Sequence, residues 1–142
     1  MSGPQLSVHL SYDGTCAEAF AFYASVFGGT PRIQTYGGSP IADQTPEIDR
    51  GRVMHAALSL GRQELMGADA TSQMPFTGST GFAVSVSWPS IDEARRVFDA
   101  IGKGGKTVMP FDRTFWTDGF GMVTDRFGIL WMVSCDGHPA DG

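Results

Sequence analysis

Three residues in predicted strands carry side chains that can transfer protons: His9, His55 and Glu64. Histidine exchanges a proton near neutral pH, and a glutamate that points into an apolar cleft can act as an acid or a base. Each residue also has a structural interpretation. His9 and His55 can be hydrogen-bonded strand residues, and Glu64 can be a solvated residue beside a hairpin turn. Catalysis and a structural role are therefore both open hypotheses.

Polar and large apolar side chains near these residues predict a ligand cavity, because small-molecule pockets are mostly apolar with a few polar groups. The candidates for ligand contact are Ser7, Ser11, Met66, Trp116 and Trp131. The serines alternate with bulky residues and so share a strand face with His9. Trp116 is the better pocket candidate of the two tryptophans, because it lies in a polar stretch. Packing in the core or in a dimer interface is the alternative for both.

Two cysteines, Cys16 and Cys135, form no C-x-x-C pair and predict no disulfide framework. Cys16 lies in the first turn of a predicted helix, where the helix dipole can lower the pKa of a thiol. No histidine or basic residue adjoins it in the sequence, which disfavours a catalytic thiol. The sequence contains no phosphate-binding glycine loop and no sign of a Rossmann unit for adenosylmethionine.

The composition limits the function classes. The chain has 142 residues and a formal net charge of −5, without a cluster of Lys and Arg, which disfavours nucleic-acid binding. No apolar run approaches the ~20 residues of a membrane span, and no signal-peptide pattern precedes the first strand. We therefore expect a cytoplasmic protein with no nucleic-acid or membrane partner.

Two helices with matching start signals indicate an internal repeat. They are predicted at about residues 15–27 and 90–101. Thr15 with Glu18, and Ser90 with Glu93, form two capping-box patterns about half a chain apart. Glycines follow both helices and end them. The match of caps and stops indicates two copies of one unit.

Alternating polar and apolar residues predict one strand before each helix and three after it. The strands are expected at about residues 7–12, 31–36, 53–60 and 63–67, and again at 82–88, 106–111, 119–125 and 129–134. The fold class is therefore α+β, with tandem β-α-β-β-β repeats over about 5–67 and 81–134 in a single domain of residues 1–142. Residues 37–52 are interpreted as a surface loop, and residues 68–80 as the connector between the halves.

Seven short motifs, in this order and spacing, carry a family resemblance over nearly the whole chain. They are Asp13 to Tyr23, Phe27-Gly28-Gly29, Met54-His55-Ala56, Leu65-Met66, Phe115-Trp116, Phe120-Gly121 and Asp125 to Trp131. The chain resembles the vicinal-oxygen-chelate superfamily of glyoxalase I, bleomycin-resistance proteins and extradiol dioxygenases, and in particular its PhnB-like branch. The resemblance implies two curled half-barrels, a homodimer, and a cleft inside each curl for ligand and metal.

Metal-dependent members of the superfamily carry a His, Gln or Glu on the first strand of each repeat and a Glu on the last. The resemblance puts Ser7 (with His9 two residues on), Glu64, Ala83 and Met132 at these positions. Alanine has no donor atom, and a thioether is a poor ligand for a hard divalent ion. The family ligand set is therefore expected to be broken.

The resemblance, together with the broken ligand set, predicts a protein that binds a small molecule in its half-barrel cleft without the family metal site. The alternative is a metal-dependent or acid–base lyase, isomerase or dioxygenase, with His9, Glu64 and His55 as its catalytic residues. No cofactor is predicted, although a divalent metal stays open. The sequence does not decide whether the protein is an enzyme.

Overall fold

A computed structural model describes residues 3–136. The chain divides into two compact units, with the boundary between Gly78 and Ser79. The first unit contains β1 (Val8–Tyr12), α1 (Cys16–Phe27), β2 (Arg32–Thr35), β3 (Val53–Leu60) and β4 (Gln63–Asp69). The second contains β5 (Val84–Trp88), α2 (Ile91–Ile101), β6 (Lys106–Asp112), β7 (Phe120–Thr124) and β8 (Leu130–Cys135). None of the helices within residues 3–136 is long and apolar enough to cross a membrane.

Both units have the same sheet topology. The strand order is β1-β4-β3-β2 in the first unit and β5-β8-β7-β6 in the second. In each unit the first strand pairs in parallel with the last, and the other pairs are antiparallel. The predicted α+β class and the β-α-β-β-β repeat are therefore confirmed.

The bulky face of each sheet packs against the helix of its own unit. In the first unit the buried face includes Leu10 and Tyr12 of β1, and α1 contributes the buried Phe20 and Tyr23. The Tyr12 hydroxyl donates to the Tyr23 hydroxyl over 3.0 Å. Gly67 of β4 lets α1 pack closely against the sheet, since a Cβ at this position would lie 2.8 Å from the Phe20 ring. The alternation thus puts the polar His9 and Ser11 of β1 on the opposite face of the sheet.

The two helix starts differ, and one capping prediction was wrong. The Ser90 hydroxyl accepts from the Glu93 N–H over 3.3 Å, as expected. Thr15 makes no such bond. Instead Asp69, at the end of β4, accepts from the backbone N–H groups of Gly14 (2.9 Å) and Cys16 (3.0 Å). A residue distant in sequence therefore caps α1, and the local pattern gave no sign of it.

Two stretches between the strands differ from the sequence interpretation. Residues 37–52 contain two short 3-10 helices, Ala42–Gln44 and Glu47–Asp49, rather than only turns. β4 continues two residues further than predicted, because Ala68 and Asp69 pair with Ser11 and Tyr12 of β1. The irregular connector therefore begins at Ala70.

Candidate functional site

The polar face of the first sheet presents the residues that the sequence proposed for chemistry. His9 and Ser11 alternate with the buried Leu10 and Tyr12, so they point away from α1, and both are exposed. In the parallel register His9 lies beside Met66, and Ser11 beside Ala68. Strand pairing therefore aligns these side chains along one edge of the sheet face.

A cavity of about 270 Å³ adjoins His9 and Ser11, and we call it the His9 cavity. Its lining is His9, Ser11, Tyr36, Ala68, Asp69, Ala70, Thr71, Met74, Pro75, Phe76, Thr77 and Gly78. Six of the lining side chains have hydrogen-bonding capacity, and the connector adds the apolar run Met74 to Phe76. This combination is typical of small-molecule sites, although the volume lies at the lower end of their usual range.

Tethers hold the connector wall against the first sheet. The hydroxyl of Ser72 donates to the buried carboxylate of Asp49 over 2.6 Å, and its backbone N–H approaches the same carboxylate at 3.2 Å. Ala70 donates its N–H to the carbonyl of Tyr12 over 2.7 Å, and its carbonyl accepts from Arg52 over 2.7 Å. The start of the connector is therefore fixed in place, which positions Met74 and Phe76 opposite His9.

Asp69 is buried beside the cavity, but its carboxylate is committed to the backbone. Besides its bonds to Gly14 and Cys16, it accepts from the Val53 N–H over 2.8 Å. A carboxylate with three charge-assisted bonds is a structural acceptor. We therefore do not count Asp69 as a ligand contact or a base.

The environment of Cys16 shifts the pKa of its thiol in the direction opposite to that expected from a helix dipole. Cys16 is fully buried. Burial, and to a lesser extent the negative charge of Asp69, raises the pKa of the thiol to about 12. The lowering of the pKa that a helix dipole can cause is therefore not found here, because desolvation outweighs the dipole at this position.

Glu64 lies on the polar face but lines a different cavity, of about 220 Å³, which we call the Glu64 cavity. Its carboxylate forms an ion pair with Arg32 of β2 and approaches the Ser59 hydroxyl at 3.4 Å. Ser7 lines this second cavity as well. Glu64 is therefore partly exposed and paired with a cation, and the apolar cleft imagined for it is not there.

The remaining predicted residues of the first unit lie outside the His9 cavity. His55 is exposed on β3, where it pairs with Gln34 of β2, so it is not a buried strand histidine. Met66 is half-buried between His9 and Ala57 in the strand register. The three proposed catalytic residues are therefore not brought together, and His9 alone of them lines the cavity beside Ser11.

The two tryptophans of the second unit have different surroundings. Trp131 is 1% exposed, and its indole N–H donates to Asp125 over 2.9 Å. It packs in the core of its unit, which does not suit the pocket-lining role that we considered. Trp116 is 46% exposed and contacts Phe115 and Phe120 edge-to-face. Its role in ligand contact stays a prediction.

The positions that the resemblance gives to metal ligands do not fit a divalent ion. His9 and Glu64 carry suitable atoms, but they line different cavities, and the Glu64 carboxylate is paired with Arg32. Ala83 has no donor, and Met132 offers a thioether. Within residues 3–136, no three His, Cys, Asp or Glu side chains gather as a metal-binding group.

A family model described as 3-demethylubiquinone-9 3-methyltransferase matches residues 4–134. The chain belongs to this family. It is part of the PhnB-like branch of the vicinal-oxygen-chelate superfamily, as the sequence resemblance predicted. Its two sheets each contain a single parallel strand pair, unlike the doubly wound parallel sheet of Rossmann-type cofactor domains.

Relatives and solved structures agree with this membership. Protein YjdN of Escherichia coli is 30% identical over 138 residues, which cover 91% of this chain and 93% of that protein. The crystal structure of protein PA1353 from Pseudomonas aeruginosa is 38% identical, with a TM-score of 0.88 and coverage of 95% and 99%. A glyoxalase/bleomycin resistance protein/dioxygenase family enzyme from Burkholderia phytofirmans is 16% identical, with a TM-score of 0.62 and coverage of 93% and 98%. That likeness supports the fold alone.

Only His9 and Ser11 of the twelve lining residues were predicted as site residues, and the largest side chains among those missed are Tyr36, Met74, Pro75 and Phe76. They lie in or next to the two segments interpreted as long loops. The available signal was the apolar run Met74-Pro75-Phe76 inside an otherwise polar connector, because long irregular loops with apolar residues are often functional.

Proposed function

We propose that this protein binds a small, largely apolar molecule in the His9 cavity, without the divalent metal of its metal-dependent relatives. The observation that carries the proposal is the meeting of a polar strand edge, His9 and Ser11, with an apolar wall, Met74 and Phe76, around about 270 Å³. Apolar walls supply binding energy, and a few polar groups orient the ligand.

The chemistry of the lining favours a neutral or cationic ring compound. Tyr36, Phe76 and His9 offer aromatic surfaces, and Ser11 offers a hydroxyl. No Lys or Arg side chain lines the cavity in the part of the chain that the structure describes, and the whole chain is acidic. An anionic ligand would therefore have no partner of opposite charge, whereas a cation can lie against aromatic faces.

Ligand-observed NMR with a set of neutral, cationic and anionic mono- and bicyclic aromatic fragments tests this proposal. We expect neutral or cationic fragments to bind, and His9→Ala and Phe76→Ala each to weaken binding by about tenfold. Glu64→Gln is the matched control, because Glu64 lies on the same sheet face but lines the other cavity. Fragments that bind equally to the parent protein and to all three variants would contradict the proposed site.

The metal-free part of the proposal has its own measurement. We expect purified protein to carry less than stoichiometric nickel, zinc, manganese or iron, and its melting temperature not to rise when these ions are added. If the parent protein carries stoichiometric metal and Glu64→Gln does not, Glu64 is a metal ligand and the metal-free part of the proposal is wrong. Fragment binding is read separately, so the two parts can fail independently.

Acid–base catalysis in the same cavity is a second candidate, and the position of His9 beside Ser11 and Tyr36 favours it. Substitution of a general base typically costs a factor of about 10² to 10⁴ in rate. A fragment hit that is also converted should therefore lose turnover by this factor in His9→Gln while its affinity changes little. A hit that is bound but never converted would favour the binding protein.

We also propose that the chain forms a homodimer. Large apolar side chains are exposed in both units, among them Leu6 (96%), Ile48 (78%) and Val108 (55%), and exposed apolar surface of this kind is often covered by a partner. Light scattering at micromolar concentration should give twice the mass of one chain. A monomeric mass would refute this proposal and leave the His9 cavity unaffected.

A further inference from the structure

Three methionines of the second unit lie in one row across three neighbouring strands. Met109 of β6 pairs with Met122 of β7, although the register of β6 shifts on either side of Met109. Met122 is in regular register with Met132 of β8. Residues in register on paired strands have neighbouring side chains on the same face of a sheet. These three residues, which we call the methionine row, are therefore neighbours across the three strands.

The methionine row lies on the face opposite to α2. A Cβ on Gly121 would lie 2.6 Å from the Phe98 ring of α2, so Gly121 faces the helix and Met122 faces away. Trp131 and Val133 are buried on either side of Met132, which gives the same orientation for β8. Met109 is 44% exposed, and the other two methionines are half-buried. The thioethers are therefore at the surface of the sheet and not in the core.

The spacing of the row suits one small ion. Neighbouring strands are about 4.8 Å apart, so the backbones of Met109 and Met132 lie about 10 Å from each other, with Met122 between them. Methionine has three rotatable side-chain bonds, which allow the two outer sulfur atoms to lean toward the central one. Three thioethers from three strands can thus converge on a single point.

We infer that the methionine row is a binding site for a soft monovalent metal ion of the copper(I) and silver(I) class. Thioethers select soft ions, and they are poor ligands for the hard divalent ions that carboxylates bind. The fourth position of the row is Ser85, which is in register with Met132 and carries no charge. With three neutral ligands, a monovalent ion keeps a net charge of one, whereas a divalent ion would keep a net charge of two.

The thiols of this chain do not contribute to the proposed site. Cys135 lies on the helix-facing side of β8, and its Sγ is 3.5 Å from the carbonyl oxygen of Pro89. Cys16 is fully buried in the first unit. The proposed ligands are therefore thioethers alone, which distinguishes this site from ordinary copper(I) sites built on cysteine.

The test is a silver(I) titration of protein labelled with ¹³C in its methionine methyl groups, in a variant with Cys16→Ala and Cys135→Ala that excludes thiol binding. Silver(I) is the probe because it shares the ligand preference of copper(I) and is redox-silent. We expect the methyl signals of the methionine row to shift together and to saturate at one equivalent. The signals of Met54, Met66 and Met74 should stay in place.

Leucine substitutions, which conserve side-chain volume, identify the ligands. Met122→Leu should weaken silver(I) binding by about tenfold or more, because the central ligand is lost, and Met74→Leu should leave it unchanged. The inference is overturned if the row signals shift independently, if they fail to saturate, or if Met122→Leu binds as tightly as its parent. The folded state of each variant is checked by the dispersion of its other methyl signals.

Discussion

The two units share one strand order, yet the same row of the sheet carries different chemistry in each. In the first unit the row is His9, Met66, Ala57 and Arg32, and in the second it is Ser85, Met132, Met122 and Met109. The first row contains an imidazole and a guanidinium, and the second contains three thioethers. The shared pairing is maintained by the apolar residues that face each helix, so the opposite face is free to differ.

A second comparison concerns the buried aspartates. Asp69 joins three parts of the first unit, because its partners are Gly14 and Cys16 at the start of α1 and Val53 at the start of β3. Asp125 instead accepts from nearby groups, the backbone N–H groups of Phe127 and Ile129 and the indole N–H of Trp131. The first aspartate therefore holds distant segments together, and the second shapes one turn.

The largest predicted effect is the loss of stability when the two buried aspartates are replaced. Asp69→Ala leaves three N–H groups without an acceptor, at a cost of about 1–3 kcal/mol each when they stay buried. We expect it to lower the free energy of unfolding by about 4 kcal/mol, and Asp125→Ala to lower it by about half as much. Water can reach part of the second turn, since Arg126 and Gly128 are exposed.

Urea denaturation measures both changes, with the exposed Asp43→Ala as the control for loss of a carboxylate. Equal losses for the two buried aspartates would show that the span of the hydrogen bonds does not matter. Should Asp69→Ala fail to fold, Asp69→Asn retains one acceptor oxygen and is the variant to measure.

The next effect concerns pH and the Cys16 thiol. Its pKa is raised from 9.0 to about 12 in the folded protein, so the buried neutral thiol stabilises the fold fully below pH 9. This stabilisation is lost between pH 9 and 12, because the unfolded chain releases the proton and the folded chain holds it. At pH 10.5 the loss is about 2 kcal/mol.

Cys16→Ala should remove this part of the alkaline destabilisation, and the measurement is the difference in unfolding free energy between variant and parent at pH 8 and pH 10.5. Cys135→Ala, at the other buried cysteine, controls for the general loss of a thiol. A difference that is the same at both pH values would contradict the raised pKa of Cys16.

Much of the fold was predictable because its signals are local. Alternation and capping patterns placed the eight strands and both α-helices of residues 3–136 within two residues of their observed bounds, but they missed the two 3-10 helices and the two-residue continuation of β4. That continuation, and the capping of α1 by Asp69, depend on parallel pairing between strands far apart in sequence. A local pattern contains no information on such pairing.

The site was less predictable for the same reason. His9 and Glu64 both point away from α1, and only the folded structure shows that they line separate cavities. The cavity wall at Met74 and Phe76 depends on a hydrogen bond between Ser72 and Asp49, which are more than twenty residues apart. The methionine row likewise becomes visible only once the strands are paired.

A smaller effect is expected when one hydroxyl hydrogen bond is removed from a loop of each unit. Ser72→Ala removes the bond to Asp49, and Thr117→Val removes the bond that the Thr117 hydroxyl donates to the carbonyl of Cys135 over 2.5 Å. Each should cost about 1–2 kcal/mol in unfolding free energy. Only Ser72→Ala should also weaken fragment binding, because it releases a wall of the His9 cavity. Isothermal calorimetry with a fragment hit separates the two, and equal effects on binding would contradict the site.

The smallest predicted effect belongs to Glu64, the carboxylate that the sequence made most prominent. Its ion pair with Arg32 is largely solvated, since the side chains are 36% and 59% exposed. Exposed ion pairs contribute about 0–1 kcal/mol, and salt screens them. Glu64→Gln should therefore change the unfolding free energy by less than about 1 kcal/mol, and the change should shrink further in high salt.

The same variant should leave fragment binding and any turnover at the parent level, because the Glu64 cavity is separate from the His9 cavity. Urea denaturation at two salt concentrations and calorimetry with a fragment hit measure both expectations. A large loss of binding in Glu64→Gln would mean that the two cavities act as one site. The acid–base pairing of His9 with Glu64 would then replace the binding protein as the leading hypothesis.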